Sequence, residues 1–321
     1  MDKIISFGEA LVDMLSTRIN NQHSDGPEAF IKFPGGAPAN VAAAVGKLGG
    51  RSYFAGKVGK DMFGDFMRES LQDANVNTDY LLSTSEANTA LAFVSLDHTG
   101  ERSFEFYRNP SADLFFQTAE FKSDWFSEPG IFHFCSNTLT HETIETTTNE
   151  GIDKAKKAGF MISFDINLRL NLWPNNRDPL EPIWQCIKKS DIIKLSAEEL
   201  DFFCSNHDEN DIINKMLFTG VSLIIITDGG EKLRFYTQNR QGEISPPKVT
   251  MVDSTAAGDA FIGGLLFSLA KLNISSAGIF ETLKIPELIE ETLRFACRCG
   301  AHAVTKKGAF TSLPTHSDLI I

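Results

Sequence analysis

One stretch carries the residues best suited to chemistry: Met251-Val-Asp-Ser-Thr-Ala-Ala-Gly-Asp-Ala-Phe-Ile-Gly-Gly-Leu265. A short β-like run breaks there into small residues and then enters an apolar helix. Gly258 relieves crowding beside the helix start, where backbone N–H groups without intrahelical partners can face an anion. Asp259 lies in the same turn. A carboxylate beside an anion-binding helix terminus suits phosphoryl transfer to an alcohol: the acid takes the hydroxyl proton while the amides hold the developing phosphate charge. The same residue also fits a purely structural role, because Asp is favoured in a first helical turn by capping and the macrodipole.

A second stretch, Phe33-Pro-Gly35-Gly36-Ala-Pro-Ala-Asn40-Val-Ala-Ala-Ala-Val-Gly-Lys-Leu-Gly49-Gly50, opens a helix built of small residues. Such a helix lets neighbouring backbones approach closely. Gly35 and Gly36 expose main chain to a ligand, and Asn40 places a donor and an acceptor in the first turn. A tight turn into a packed helix would explain the same residues. Asp13 follows an apolar strand, and Asp165-Ile-Asn167-Leu-Arg169 ends another, so both sets stand near the carboxyl edge of a sheet where ligands collect. For Asp13 a solvated loop position is the plain alternative.

These residues need a scaffold, and the chain has the length for one: 321 residues bury a substantial core. The formal charge of −12 argues against a broad nucleic-acid surface but leaves a local nucleotide site open. No run has the length of a membrane span and the N-terminus lacks a signal-peptide core, so a cytoplasmic protein that engages no membrane is expected. The five cysteines lack zinc-like spacing and read as free thiols. Strands are expected at 3–7, 52–54, 131–135, 160–165, 192–195 and 222–227, with further strand to 236. Helices fill the intervals, notably 142–157, 197–204, one from Gly258, and about 287–304. The alternation predicts a mainly parallel sheet covered on both faces. It is interrupted by a hairpin, 89–96 and 101–107 around Asp97-His-Thr-Gly100, expected to project as a small second sheet.

Several phosphate-handling and catalytic signatures are missing from the sequence. There is no G-x-G-x-x-G, which removes the nicotinamide dehydrogenase reading, and there is no Walker-type P-loop, H-E-x-x-H or G-x-S-x-G. Phosphate must therefore be handled at another helix N-terminus, best at residues 257–259.

Two motifs together carry a resemblance over essentially the whole chain. Gly35-Gly-Ala-Pro-Ala-Asn40 with its Ala-rich helix resembles the sugar-side signature of the ribokinase-like carbohydrate kinases, and Asp253-Ser-Thr-Ala-Ala-Gly-Asp259 resembles their D-T-T-G-A-G-D signature. Ser196-x-x-Glu199 and Thr227-x-Gly229 lie between them, and within the family the chain is most similar to bacterial fructokinases. The resemblance implies a Rossmann-like α/β three-layer sandwich with a mainly parallel sheet, as a single domain over 1–321. A small β-sheet lid would come from about 12–34 and 88–109. It implies Asp259 as the base, an anion hole from the amides of Ala256, Ala257, Gly258 and Asp259, and sugar contacts from Asp13, Gly35, Gly36 and Asn40. Lys194, Ser196, Thr227, Gly229 and Gly258 would serve ATP. Glu199 would act indirectly on Mg2+, and Asp253 with the Thr255 carbonyl would hold a monovalent cation such as K+. The partners implied are a sugar and ATP, with a homodimer formed through the lid.

The departures from the pattern concern the substrate and two loops. Ala256 stands where the family has Gly, which preserves the backbone donor if its φ is negative. Lys232 replaces the last Gly of T-x-G-x-x-G, and Leu11 stands where ribokinases proper show Asn, which argues against ribose. Phe106-Tyr-Arg108 and Asp165-x-Asn167-x-Arg169-x-x-Leu-Trp173 resemble fructokinases, so Phe106, Arg108, Asn167 and Arg169 are expected at the sugar. Two arginines can equally clamp a carboxylate. That keeps 2-keto-3-deoxygluconate kinase as the alternative to fructokinase, with aminoimidazole riboside kinase behind it. A catalytically silent regulatory relative is the reading from a different class, and the intact Asp259 and Gly258 argue against it.

Overall fold

The computed structural model describes residues 1–19, 27–96, 102–108, 110–205, 207–274 and 276–319. In chain order the elements are β1 (Lys3–Phe7), β2 (Leu11–Ile19), β3 (Phe30–Gly35), α1 (Ala37–Lys47), β4 (Ser52–Gly59), α2 (Met62–Asp73), β5 (Leu81–Thr84), β6 (Ala90–Leu96) and β7 (Arg102–Tyr107). There follow β8 (Gly130–Cys135), α3 (Glu142–Lys157), β9 (Met161–Asp165), α4 (Leu180–Ile187), β10 (Ile192–Ser196), α5 (Ala197–Cys204), α6 (Glu209–Phe218) and β11 (Leu223–Thr227). The chain closes with β12 (Leu233–Tyr236), β13 (Gln241–Ile244), α7 (Ala257–Lys271), α8 (Ser276–Thr282), α9 (Pro286–Ala303) and α10 (Ala309–Ser312).

Among the described residues, nine strands form one sheet in the order β13-β12-β11-β10-β9-β8-β1-β4-β5. Pairing is parallel from β11 to β5, and β12 and β13 add an antiparallel edge. The chain first builds outward from β1 through β4 and β5, then crosses to β8 on the other side of β1. Strand order therefore reverses at β1 and β8, which opens a crevice at their carboxyl ends. β13 escaped the sequence reading because Gln-Gly-Glu-Ile has no apolar alternation.

The main sheet is apolar on both faces, as buried parallel strands require. One face packs Phe132, Phe134 and Phe164 against Ile152 of α3 and Ile183 of α4. The other packs Ile4, Ile131 and Ile225 against Val41 and Val45 of α1, Ile262 and Leu266 of α7 and Leu293 of α9. Two glycines let α7 sit between its neighbours. A Cβ on Gly263 would lie 2.4 Å from the Ala44 Cβ of α1, and one on Gly264 would lie 2.6 Å from the Cys299 Sγ of α9. The Ala-rich and Gly-rich helices thus exist for each other: backbone-close packing fixes where α1 and α7 begin. Among the described residues no single helix is long and apolar enough to cross a membrane.

The second sheet has four strands in the order β3-β2-β6-β7. β2 pairs parallel with β6, while β2 with β3 and β6 with β7 are antiparallel. The expected hairpin is β6 and β7; its turn at 97–101 lies outside the described residues, as does Asn109.

Candidate active site

The carboxyl ends of β1 and β8, the start of α1, the start of α7 and the small sheet enclose a cleft of about 320 Å³. Of the residues expected at a site, Asp13, Gly36, Asn40, Phe106, Asn167, Arg169, Thr255, Ala256 and Asp259 line it. Asp13 of β2 pairs with Ala92 of β6, and Ala92 pairs with Phe106 of β7, so Asp13 and Phe106 share one rung and one face of the small sheet.

Asp259 is 8% exposed in the first turn of α7 and accepts a 2.7 Å hydrogen bond from Asn40 Nδ2 in the first turn of α1. The two motifs, 219 residues apart, thus meet side chain to side chain. Burial pushes the Asp259 carboxyl up to about 7; the Asn40 hydrogen bond opposes this, Asp165 adds to it, and Lys194 and Arg169 oppose it again. An acid with that proton affinity suits general base catalysis near neutrality. Asn40 Oδ1 is buried and has no partner among the described residues, which leaves an acceptor for a ligand donor.

The start of α7 departs from expectation at two of its small residues. The expectation that the Ala256 donor survives its methyl group was conditional on a negative φ; that condition is not met, since its φ is +58, in the left-handed region. A Cβ there costs about 1 kcal/mol. The Ala257 N–H donates to the Ser254 carbonyl at 3.3 Å, so this amide is directed into the preceding turn. Among the described residues no side chain caps the helix, so the first-turn amides that include those of Gly258 and Asp259 have no side-chain partner. Beside them lies Lys194: a Cβ on Gly258 would be 3.3 Å from its Nζ. Lys194 is buried and bound to Asp165 at 3.0 Å. Burial alone would lower the ammonium, but Asp165 and then Glu199 pull it above its ordinary value. A cation at the positive end of a helix is unfavourable unless an anion joins them.

The glycines of the sugar-side motif are required by contacts. Gly36 has φ +100, and a Cβ there would lie 2.5 Å from the Glu9 carbonyl oxygen. A Cβ on Gly35 would lie 2.4 Å from Asp13 Oδ2, so Gly35 leaves room for that carboxylate.

Ser196 and Thr227 end the adjacent strands β10 and β11 and face each other in register. Gly229 follows at φ +51. Ser196 caps α5: its Oγ accepts the Glu199 N–H at 3.1 Å, and Glu199 accepts the Ser196 N–H at 2.7 Å. The other Glu199 oxygen accepts the Leu168 N–H at 2.7 Å and so fixes the loop that carries Asn167 and Arg169. Both oxygens hold backbone, and among the described residues no three His, Cys, Asp or Glu groups cluster to hold a metal. Both Glu199 oxygens are thus engaged by backbone donors, and its direct effect in this structure is to fix the loop after β9 and the start of α5. Asp253 accepts the Thr255 N–H at 2.9 Å and the Gly308 N–H at 3.0 Å, which ties the segment before α7 to the turn before α10. Lys232 pairs with Glu243 on β13 at 2.6 Å and is largely exposed.

Two expected sugar contacts, Gly35 and Arg108, are not among the residues that line the cleft; Gly35 packs against Asp13, and Arg108 lies behind the wall. It is buried and paired with Asp113 at 2.6 Å, and it also donates to the Asn137 carbonyl at 2.9 Å. Conversely, Glu9 and Asn137 line the cleft and were not expected there. Each lies just beyond the end of an apolar strand, the same signal that marked Asp13, but only the pairing of β1 with β8 brings the two together.

A pfkB family carbohydrate kinase profile matches residues 1–316. The chain is 41% identical over 316 residues to fructokinase-2 of Zea mays, covering 97% of this chain and 91% of that one. Its fold is similar to the fructokinase of Xylella fastidiosa with bound ATP, with a TM-score of 0.94, 44% identity and coverage of 99% and 96% of the two chains. It is also similar to a double mutant of the Vibrio cholerae O395 fructokinase bound to fructose, ADP and potassium, with a TM-score of 0.87, 34% identity and coverage of 99% and 97%. Full-length agreement in sequence and fold joins a cleft in which the two signature motifs touch through Asn40 and Asp259, and the chain belongs to the pfkB family of carbohydrate kinases.

Proposed function

We propose that this sugar kinase transfers the γ-phosphoryl group of ATP to a primary hydroxyl of D-fructose, forming fructose 6-phosphate and ADP. The observation that carries the reading is Asp259, a buried carboxyl whose proton affinity is raised to about 7 at the N-terminus of α7. Asp259 takes the proton from the sugar hydroxyl as its oxygen attacks the γ-phosphorus in line and the bond to the ADP oxygen breaks. Asn40 orients the carboxylate. The first-turn amides of α7 and the Lys194 ammonium stabilise the charge on the transferring group. Asp13 and the main chain at Gly35 and Gly36 hold the sugar, and the small sheet excludes water when substrate is bound. A magnesium ion carried by the nucleotide would neutralise phosphate charge, and Glu199 fixes the neighbouring backbone. Asp253 and the Thr255 carbonyl hold a monovalent cation, a role supported by the potassium in the Vibrio relative.

Purified Asp259→Ala tests the central step. It is expected to lose roughly a thousandfold in turnover while still binding ATP in a calorimeter; near-normal turnover overturns the assignment. Initial rates of the unmodified enzyme on fructose, ribose, 2-keto-3-deoxygluconate and aminoimidazole riboside test the acceptor, and fructose is expected to have the highest kcat/KM.

A further inference from the structure

Two side chains at the floor of the cleft have no task in phosphoryl transfer. Glu9 follows β1 and Asn137 follows β8, and they are 2% and 5% exposed. Asn137 is held from both sides: its carbonyl accepts from Arg108 at 2.9 Å, and its Nδ2 donates to Glu9 Oε1 at 3.0 Å. This orientation leaves Asn137 Oδ1 buried without a partner among the described residues. An unsatisfied buried carbonyl is costly, so the position calls for a donor from a ligand. The second Glu9 oxygen is approached by the Cys135 thiol at 4.0 Å, a weak donor. The floor thus offers acceptor oxygens, which match the hydroxyl hydrogens of a neutral sugar and oppose the oxygens of a carboxylate.

The make-up of the lining acts in the same direction. Three carboxyl groups, Glu9, Asp13 and Asp259, line the cleft against Arg169 as the one lining cation among the described residues; burial raises the proton affinity of Glu9 and Asp259, so what Glu9 brings to the floor is oxygen atoms in place more than full charge. Arg108 would be the second arm of a carboxylate clamp, but Asp113 holds it through contacts of 2.6 and 2.8 Å. Its charge is already compensated behind the wall.

We infer that Glu9, held in place by Asn137, is a specificity-determining residue that accepts hydroxyls of a neutral ketose and rejects an anionic sugar acid of the 2-keto-3-deoxygluconate type. The inference rests on the proposed function for the reaction and for fructose as the neutral sugar. The test compares the unmodified enzyme with Glu9→Gln in initial rates on fructose and on 2-keto-3-deoxygluconate. Calorimetric binding of each sugar without nucleotide accompanies the rates. Glu9→Gln is expected to raise KM for fructose about tenfold, to leave KM for ATP unchanged, and to lower the fructose-to-acid ratio of kcat/KM at least about tenfold. If Glu9→Gln does not fold, Asn137→Ala, which removes the support of Glu9, is expected to lower the same ratio. An unchanged ratio in a folded variant overturns the proposal, as does an unmodified enzyme that binds the sugar acid as tightly as fructose. Preference of the unmodified enzyme for another neutral sugar would overturn the fructose reading instead; the ratio is then read between that sugar and its acid, so the two failures separate.

Discussion

Replacing Asp259 by Asn removes a titration while keeping the side-chain shape and an oxygen that accepts from Asn40. Asp259 is buried, and its pKa rises from the ordinary 3.8 to about 7 chiefly through burial. The folded state therefore keeps a proton that the unfolded chain releases. Stability contributed by the protonated carboxyl is complete below about pH 4, falls as pH rises, and is lost once pH passes the folded value. At 1.36 kcal/mol per pH unit, the span from 3.8 to about 7 amounts to about 4 kcal/mol. Asn carries no such penalty. Urea unfolding of both proteins without ligands, at intervals between about pH 4 and pH 8, measures the difference, and other titrating groups cancel to first order. The variant should gain about 4 kcal/mol on the unmodified protein across this range, with most of the change between about pH 4 and pH 7. Parallel stability curves, with a difference that drifts by less than about 1 kcal/mol, would refute the claim that Asp259 is held protonated by its surroundings.

Three further outcomes follow from contacts around the site. Ala256→Gly relieves a left-handed φ of +58 and should stabilise the protein by roughly 0.5–1 kcal/mol, read as a higher urea midpoint with phosphorylation retained. Gly35→Ala places a methyl group where Asp13 Oδ2 lies 2.4 Å away; KM for the sugar should rise at least about tenfold while KM for ATP holds, as steady-state rates with each substrate varied will show. Asp113→Ala leaves the buried Arg108 guanidinium without its carboxylate and should cost about 3–5 kcal/mol of unfolding free energy, measured by chemical denaturation.

The fold was legible where local pattern was strong. The apolar runs at Lys3–Phe7, Gly130–Cys135 and Met161–Asp165 are strands buried on both faces, and the periodic or small-residue segments between them are helices. Boundaries of α3 and α5 agree with the sequence reading to the residue, because each has a sharp start at His141 or Ser196. β13 was not legible, since an exposed edge strand buries little and need not alternate.

The candidate site divides in the same way. Sequence alone determined that Asp259 begins a helix, that Gly35 and Gly36 precede another, and that no P-loop competes for phosphate. These are local features, written in residue type and spacing. Only the tertiary structure decided that Asn40 holds Asp259, that Ala256 is left-handed, that Arg108 is turned away by Asp113, and that Glu9 and Asn137 floor the cleft. Each of these depends on burial or on a partner far along the chain. The sheet order that places β1 between β4 and β8 supplies that proximity, and the dry interior it creates raises the proton affinity of Asp259 into the range where it can act as a base.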